Sequence, residues 1–280
     1  MQLSYDGDDE NHLDLQKKIK RMIPTQIQDI IATAILLIFF PLGILLHFFY
    51  VLPTWFPAFE EAWILRVVPI TFLVFNLYSN WVMMLKVGPS GKSAILPNIV
   101  KPGYRFCHSC RVNSPPRAYH CPVCDICVLR RDHHCSFGGV CVGHFNQRYF
   151  VAAVINLLCL TIPLVSYAWS LLNIKFENGV SFGNIWQVML PHLAWVFGFI
   201  TIYQFLHVLL FVLTFTVAFF GFYLAAAQAF CIYKGQTRPE YLMDVHAFQL
   251  GFIENLKQSL GTHGQSFVTR EMYNIHTKDL

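Results

Sequence analysis

Four long apolar blocks constrain the fold of this chain more than any other feature of its sequence. They cover residues 30–51, 67–85, 150–172 and 193–231, and each contains few polar residues. Hydrophobic residues make up 55% of the 280 residues and charged residues only 13%, which is too few charges to cover a soluble protein without large exposed apolar patches. Each block approaches or exceeds the roughly 20 residues that span a bilayer as a helix. The sequence therefore predicts an integral membrane protein.

The distribution of positive charge predicts the orientation of the spans. Four Lys and Arg residues lie between positions 17 and 21, before the first block, and nine more lie between the second and third blocks. The connections 52–66 and 173–192 carry one basic residue each. Because basic residues concentrate on the cytoplasmic side, we expect the N-terminus and the segment between the second and third spans to face the cytosol.

The last apolar block, Leu193–Cys231, leaves the topology open. At 1.5 Å per residue it would be about 58 Å long as a single helix, nearly twice a bilayer core. Two passes would place the C-terminal tail on the far side of the membrane, whereas one tilted pass with a helix along the far interface would keep it in the cytosol. We expect the second arrangement, and hence four spans.

The expected organisation has five parts. A cytosolic tail covers residues 1–29, and transmembrane helices 1 and 2 with a short luminal loop cover 30–85. A cytosolic cysteine-rich domain covers 86–148. Transmembrane helices 3 and 4 with their luminal connection cover 149–232, and a cytosolic tail covers 233–280.

The cysteine-rich segment repeats one metal-ligand spacing. The pattern C-x2-C-x9-H-x6-C occurs twice, offset by fourteen residues, in Cys107, Cys110, His120 and Cys127 and again in Cys121, Cys124, His134 and Cys141. Three thiolates and one imidazole complete a closed tetrahedral Zn²⁺ site, which is typical of structural zinc. Prolines and glycines in the segment disfavour long helices, so we expect short hairpins and loops held by two structural Zn²⁺ ions. The predicted fold class is an all-α polytopic membrane protein with four transmembrane helices and this cytosolic zinc-binding domain.

One cysteine of the segment lies outside both ligand sets. Cys135 directly follows Asp132, His133 and His134. A thiol beside an imidazole and a carboxylate is a candidate nucleophile, with His133 as its base and Asp132 orienting the imidazole. The alternative is a spare buried thiol or a substitute ligand. Neighbours in sequence need not meet in space, so the residues alone leave both open.

The motif from Cys107 through Asn146 to Phe150, with Asp132-His133-His134-Cys135 at its centre, resembles the signature of the DHHC-type protein S-acyltransferases (palmitoyltransferases). The resemblance implies that Cys135 takes a fatty acyl group, typically palmitoyl, from acyl-CoA as a thioester. His133 would then be the general base and Asp132 the residue that orients it. It also implies transfer to cysteines of membrane-associated substrate proteins, and residence in the Golgi or the endoplasmic reticulum.

Further along, the chain matches the family with some departures. Thr237-Arg238-Pro239-Glu240 has arginine at the second threonine of Thr-Thr-x-Glu, whereas Phe248-Gln249-Leu250-Gly251 with Asn255 resembles the family's C-terminal motif. Ser136-Phe137-Gly138-Gly139 replaces the usual Pro-Trp after the cysteine. Two glycines predict a more flexible loop, which would lower the rate of a poorly held nucleophile.

Basic residues near the expected interface are candidate contacts for the phosphates of acyl-CoA: Arg130, Arg131, Lys234 and Lys101. They equally satisfy the positive-inside rule or meet anionic lipid.

Three other functions remain as alternatives. A catalytically impaired, zinc-stabilised membrane scaffold of the same family would hold zinc without forming an acyl-enzyme. A metal transporter would need ligands inside the spans, where His47, Cys159 and His207 are scattered. Nucleic-acid binding is disfavoured, because the zinc segment lacks a helix with base-reading positions.

Overall fold

The computed structural model describes residues 24, 26–89, 103–176 and 179–261. Four helices among these residues are long and apolar enough to cross a membrane. In chain order the helices are α1 Ile27–Thr54, α2 Glu61–Val87, α3 Gln147–Lys175, α4 Ile185–Met189, α5 Pro191–Val196, α6 Ile202–Lys234, α7 Arg238–Leu242 and α8 Phe252–Leu260. Of the predicted all-α class with four transmembrane helices, the coarser statement is confirmed: the described residues are mostly helical and contain four candidate membrane-spanning helices, α1, α2, α3 and α6.

Prolines and local irregularities lie within the long helices without ending them. Helix α1 contains two π-helical stretches, Ile35–Phe39 and His47–Val51. The first lies just before Pro41, which has no N–H to donate to the helix. Pro69 lies inside α2 and Pro163 inside α3. Membrane helices tolerate such prolines because local adjustments satisfy the freed carbonyl groups.

The last apolar block contains one long helix. The short helix α5 ends at Val196, and a turn with Gly198 at φ +75° precedes Ile202. From Ile202 to Lys234 the chain is one continuous helix, about 50 Å long at 1.5 Å per residue. This length exceeds the hydrocarbon core of a bilayer, about 30 Å, but falls short of two passes. Among the described residues of this block, one helix is therefore long enough to span a membrane. The sequence alone had left two passes possible.

Three two-stranded antiparallel sheets occur among the described residues between α2 and α3. Strand β1 (Arg105–Cys107) pairs with β2 (Val112–Ser114), β3 (Ala118–Cys121) with β4 (Ile126–Leu129), and β5 (His133–Cys135) with β6 (Val140–Val142). Isolated two-stranded hairpins of this size are marginally stable at best in water. These sheets therefore need further support, and the side chains described below can supply it.

The chain divides into two compact units. Of the described residues, the first unit contains those up to 37, those from 81 to 150 and those from 230 onward, and it includes the six strands given above. Its apolar centre is the buried group Cys121, Val128 and Cys141.

The second unit contains residues 38–80 and 151–229. Two apolar clusters fill it. One joins α1, α2 and α3 through residues such as Phe48, Trp63 and Leu160, and the other joins α3, α4, α5 and α6 through Leu172, Val188 and Val208. Large apolar side chains such as Phe72 and Phe219 are more than 60% exposed, as expected for helices whose outer faces meet lipid.

Candidate active site and metal centres

The first candidate metal centre joins two hairpins. Cys107 ends β1 and Cys110 lies in the following turn, while His120 and Cys127 face each other as paired residues of β3 and β4. The backbone N–H of Cys110 points to the Sγ of Cys107 at 3.5 Å, and Cys110 Sγ lies 3.2 Å from His120 Nδ1. The ligand atoms of the four side chains lie within 4.8 Å of one another.

The second centre repeats this arrangement one hairpin later. Cys121 ends β3 and Cys124 follows in the turn, while His134 and Cys141 are paired residues of β5 and β6. Cys124 Sγ lies 3.3 Å from His134 Nδ1 and 3.7 Å from Cys141 Sγ. All four ligand atoms again lie within 4.8 Å of one another. The β3–β4 hairpin thus supplies ligands to both centres, which links the two sites covalently.

The ligand atoms of both sets lie close enough together to surround one metal ion. Zn–S and Zn–N bonds of about 2.3 and 2.1 Å place ligand atoms roughly 3.5–3.8 Å apart. The distances of Cys121 Sγ and Cys141 Sγ to His134 Nδ1, 3.8 and 3.9 Å, agree with this geometry. Each cluster could therefore hold a metal ion, and its four donor atoms would fill the coordination shell.

Asp132, His133 and Cys135 form a chain of side chains beside the second centre. His133 Nδ1 donates to Asp132 Oδ2 at 2.8 Å, and the Asp132 side chain is almost fully buried. Burial lowers the pKa of His133, but its hydrogen bonds to Asp132 and to Cys135 outweigh this effect and raise the pKa to about 9. The ring therefore lies between a carboxylate and a thiol, in the arrangement of a nucleophile, a base and an orienting acid.

The alternation of strand β5 separates the two adjacent histidines. Successive side chains of a strand point to opposite faces. His134 therefore joins the second metal centre, whereas His133 and Cys135 share the other face. Cys135 is buried, at 6% exposure, and belongs to neither ligand set.

The loop after Cys135 is held by several contacts. Trp81 Nε1 donates to the Phe137 carbonyl at 2.9 Å, and Thr33 Oγ1 reaches the same oxygen at 3.4 Å. A Cβ added to Gly138 would lie 2.8 Å from Leu85 Cδ2. One added to Gly139, at φ +61°, would lie 2.9 Å from Pro24 Cβ. Both glycines are therefore sites where neighbouring atoms approach the backbone closely, and the expected flexibility of the loop stays a prediction.

Two further residues of the motif have defined contacts. Asn146 is fully buried, accepts the N–H of Gly143 at 2.9 Å and donates to the carbonyls of Cys141 and Met84 at 3.0 and 3.3 Å. Phe150 packs edge-on against the ring of His133, with centroids 4.8 Å apart. The motif residues after Cys135 thus fix the end of β6 and one side of the His133 ring.

The segment after α6 contacts Asp132 through its backbone. The N–H of Arg238 donates to Asp132 Oδ1 at 3.1 Å. Because any residue other than proline supplies this donor, arginine in place of the family's second threonine leaves the bond intact. Asp132 accordingly accepts hydrogen bonds at both oxygens, one from His133 and one from Arg238.

Comparison with known proteins agrees with this geometry. A family model described as DHHC palmitoyltransferase matches residues 100–245. A probable palmitoyltransferase ZDHHC24 of Mus musculus is 30% identical over 195 residues, covering 68% of this chain and 67% of the relative. This chain belongs to the DHHC palmitoyltransferase family. The resemblance seen in the sequence is confirmed.

A second group of relatives matches a shorter region. The palmitoyltransferase ZDHHC9 of Homo sapiens is 46% identical over 63 residues, covering 22% of this chain and 17% of the relative. The activity of this DHHC enzyme is protein S-palmitoyl transfer, and nothing in the comparisons favours the catalytically impaired scaffold.

The basic residues expected to contact acyl-CoA occupy varied positions in the palmitoyltransferase. Arg130 is 3% exposed, and its guanidinium donates to Gln258 O at 2.6 Å and Ser259 Oγ at 2.8 Å, so it holds α8. Arg131 Nη2 lies 3.8 Å from Cys121 Sγ, and the Lys234 ammonium lies 6.0 Å from the Phe230 ring. Lys101 lies outside the described residues. Their contact with acyl-CoA stays a prediction.

Sequence reasoning missed several residues that position the site of this DHHC enzyme. Thr33 and Trp81 hold the loop after Cys135, and Asp29 contacts His134. Arg117 is buried against Glu240. Asp29 carried one available signal, a charge placed directly before an apolar block, but no spacing rule identifies its partner.

Proposed function

We propose that Cys135 is the nucleophile of a two-step protein S-acyltransferase that uses a long-chain acyl-CoA as donor. The observation that carries the proposal is the position of Cys135 outside both metal-ligand sets, on the face of β5 that it shares with His133. A thiol held as a metal ligand would be unavailable, whereas one hydrogen-bonded to an imidazole can lose its proton to it.

In the first step His133 takes the proton of the Cys135 thiol. The thiolate attacks the thioester carbonyl of acyl-CoA, an S–acyl bond forms on Cys135, and the bond to the CoA sulfur breaks. CoA leaves with the proton that His133 returns. Asp132 keeps the Nδ1–H of His133 directed toward itself, so that the other ring nitrogen remains free for proton transfer.

In the second step a cysteine of a membrane-associated substrate protein gives its proton to His133 and attacks the acyl-enzyme. The acyl group moves to the substrate, and His133 returns the proton to Cys135. One thioester replaces another in each step, so the exchange has little driving force of its own. The kinetics should be ping-pong.

The two Cys/His clusters would hold structural Zn²⁺, because three thiolates and one imidazole fill each tetrahedral shell. Bound zinc would supply folding energy to the short hairpins and would hold β5 in place. In this proposal the domain lies in the cytosol, where thiols stay reduced. The bilayer surrounds the four spans, and residence in the Golgi or the endoplasmic reticulum remains an expectation from the family.

The experiment is acyl-enzyme formation by the detergent-solubilised protein with palmitoyl-CoA, comparing wild type with Cys135→Ser. Zinc content is measured on the same samples. We expect a hydroxylamine-sensitive label on the wild type, none on the variant, and about two zinc ions in both. A label that persists in Cys135→Ser would place the nucleophile elsewhere. A zinc-replete wild type without label would remove the proposed mechanism.

A further inference from the structure

The second metal centre is contacted by a carboxylate from the first membrane helix. Asp29 Oδ2 lies 3.0 Å from His134 Nε2, and the two side chains are 4% and 12% exposed. Nδ1 of His134 faces the three sulfurs. A ring that binds the metal through Nδ1 has its N–H on Nε2, which then donates a hydrogen bond to Asp29 Oδ2. The two residues are 105 positions apart in sequence.

This contact has the geometry of an outer-shell metal partner. A histidine that binds a metal through one nitrogen usually donates its other N–H to a carboxylate, a carbonyl or water. Such a partner fixes the tautomer and the orientation of the ring, and it increases the electron density that the ring offers to the metal. The Asp29 carboxylate, buried at the edge of an apolar span, is otherwise costly to place there.

Helix α1 favours a negative charge at this position. Asp29 is the third residue of the helix, in its first turn, where the unpaired N–H groups stabilise an anion. Thr33, one turn later on the same face, lies within 3.5 Å of the carbonyl oxygens of Ser136 and Phe137. One face of α1 therefore contacts both the ligand before Cys135 and the loop after it.

The first metal centre offers an internal comparison. His120 Nε2 lies 3.8 Å from Asp125 Oδ1, beyond hydrogen-bonding distance, and the Asp125 side chain is 87% exposed. A solvated carboxylate at that distance contributes little to holding the His120 ring in place. The two centres have the same ligands but differ in this outer contact.

We propose that Asp29 is a positioning residue for the second metal centre. Its carboxylate holds the His134 ring in the orientation of a metal ligand and so ties α1 to strand β5 beside Cys135. The inference rests on the proposed structural zinc, and it adds Asp29 to the residues that stabilise the zinc site. Asp29 acts through His134 rather than on the acyl group, so its removal should alter metal retention at one centre only.

The test is the rate at which zinc passes from the full-length protein in detergent to a chelating dye. Wild type, Asp29→Ala, Asp29→Asn and Asp125→Ala are compared, and His120→Ala and His134→Ala assign the release phases to the two centres. Loss of an outer-shell carboxylate costs 10–100-fold in metal affinity in other sites. We expect a change of about that size in the second-centre phase for Asp29→Ala and a smaller one for Asp29→Asn, whose amide oxygen still accepts a bond.

Asp125→Ala should release both ions at the wild-type rates. Release from both centres accelerated equally in the Asp29 variants would indicate general destabilisation and would overturn the inference, as would unchanged release. If the alanine variant does not fold, the isosteric asparagine variant decides by the same criterion. A wild-type protein without zinc would instead remove the proposed metal sites, and this inference with them.

Discussion

Arg117 and Glu240 form a buried bidentate ion pair across 123 positions of sequence. Arg117 Nε donates to Oε1 at 2.7 Å and Nη2 to Oε2 at 2.8 Å. The side chains are 6% and 0% exposed. Arg117 Nη2 also donates to the Gly235 carbonyl at 3.0 Å, and Glu240 accepts the Thr237 N–H at 2.8 Å. The pair therefore joins the cysteine-rich segment to the chain that follows α6.

Removing one charge of this pair should destabilise the protein strongly. Glu240→Gln leaves the Arg117 guanidinium buried without a counter-charge, a change that costs about 3–5 kcal/mol in other proteins. We expect a clear fall in the thermal unfolding midpoint in detergent. Glu254→Gln, which breaks the half-exposed pair with Lys257, is the control and should leave the midpoint unchanged. Equal falls in the unfolding midpoint of the two variants would show that burial of the Arg117–Glu240 pair does not increase its effect on stability.

Asp132→Asn should slow formation of the acyl-enzyme without removing it. Asparagine fills the same space, but it no longer provides the charge that raises the pKa of His133, and it can favour the wrong tautomer of the ring. A loss on the order of 10²-fold or more is expected from comparable triads. The measurement is the initial rate of hydroxylamine-sensitive labelling. Zinc content close to wild type is the control for folding, and an unchanged rate would exclude Asp132 from the chemistry.

Alanine at the two glycines after Cys135 should have unequal effects. In Gly139→Ala the new Cβ meets Pro24, and φ +61° is strained for a residue with a side chain by about 1–2 kcal/mol. In Gly138→Ala it meets the movable ends of Leu85 and Met84. We expect Gly139→Ala to lose about 10–100-fold in labelling rate and Gly138→Ala far less. Similar losses would show that the close approach to Pro24 is unimportant.

Two tryptophans make the same bond in different places and provide a matched pair. Trp81 Nε1 donates to Phe137 O at 2.9 Å, and Trp63 Nε1 donates to Phe48 O at 2.8 Å. Each bond contributes about 1 kcal/mol, so both Phe variants should lower the unfolding midpoint. Only Trp81→Phe should slow labelling per folded molecule, because only Trp81 holds the loop beside Cys135. A reduced rate in Trp63→Phe alone would reverse this assignment.

The candidate metal centres could be predicted from the sequence because their geometry is local. A C-x2-C turn places two thiols together, and the pairing of His120 with Cys127 and of His134 with Cys141 follows from short hairpins. The four spans were accessible for a similar reason, since a helix of about 20 apolar residues carries its own signal. The family signature then added the role of Cys135.

The remaining features depend on tertiary packing, which spacing does not encode. Asp29 and His134 meet across 105 positions, and nothing in a membrane-helix pattern indicates which residue a lone carboxylate contacts. Gly138 and Gly139 suggested flexibility because glycine permits many conformations, whereas the close approach of Pro24 and the positive φ of Gly139 leave no room for a side chain at that position. The expected arrangement of the last block included a separate helix before the span, but the position of the break, between Val196 and Ile202, was not predicted because apolar residues continue through the turn.

The alternation of His133 and His134 on β5 gives the second metal centre a function beyond holding the chain together. A three-residue strand has little of its own to oppose a slip by one position, and such a slip moves every side chain to the opposite face. His134 would then stand beside the chemistry, and the thiol of Cys135 would turn toward the ligand cage. In the proposed zinc-bound form, a metal ion held by His134 and Cys141 would oppose that exchange. Under the proposed mechanism, metal loss should therefore lower the labelling rate by exchanging the positions of the proposed base His133 and the proposed ligand His134.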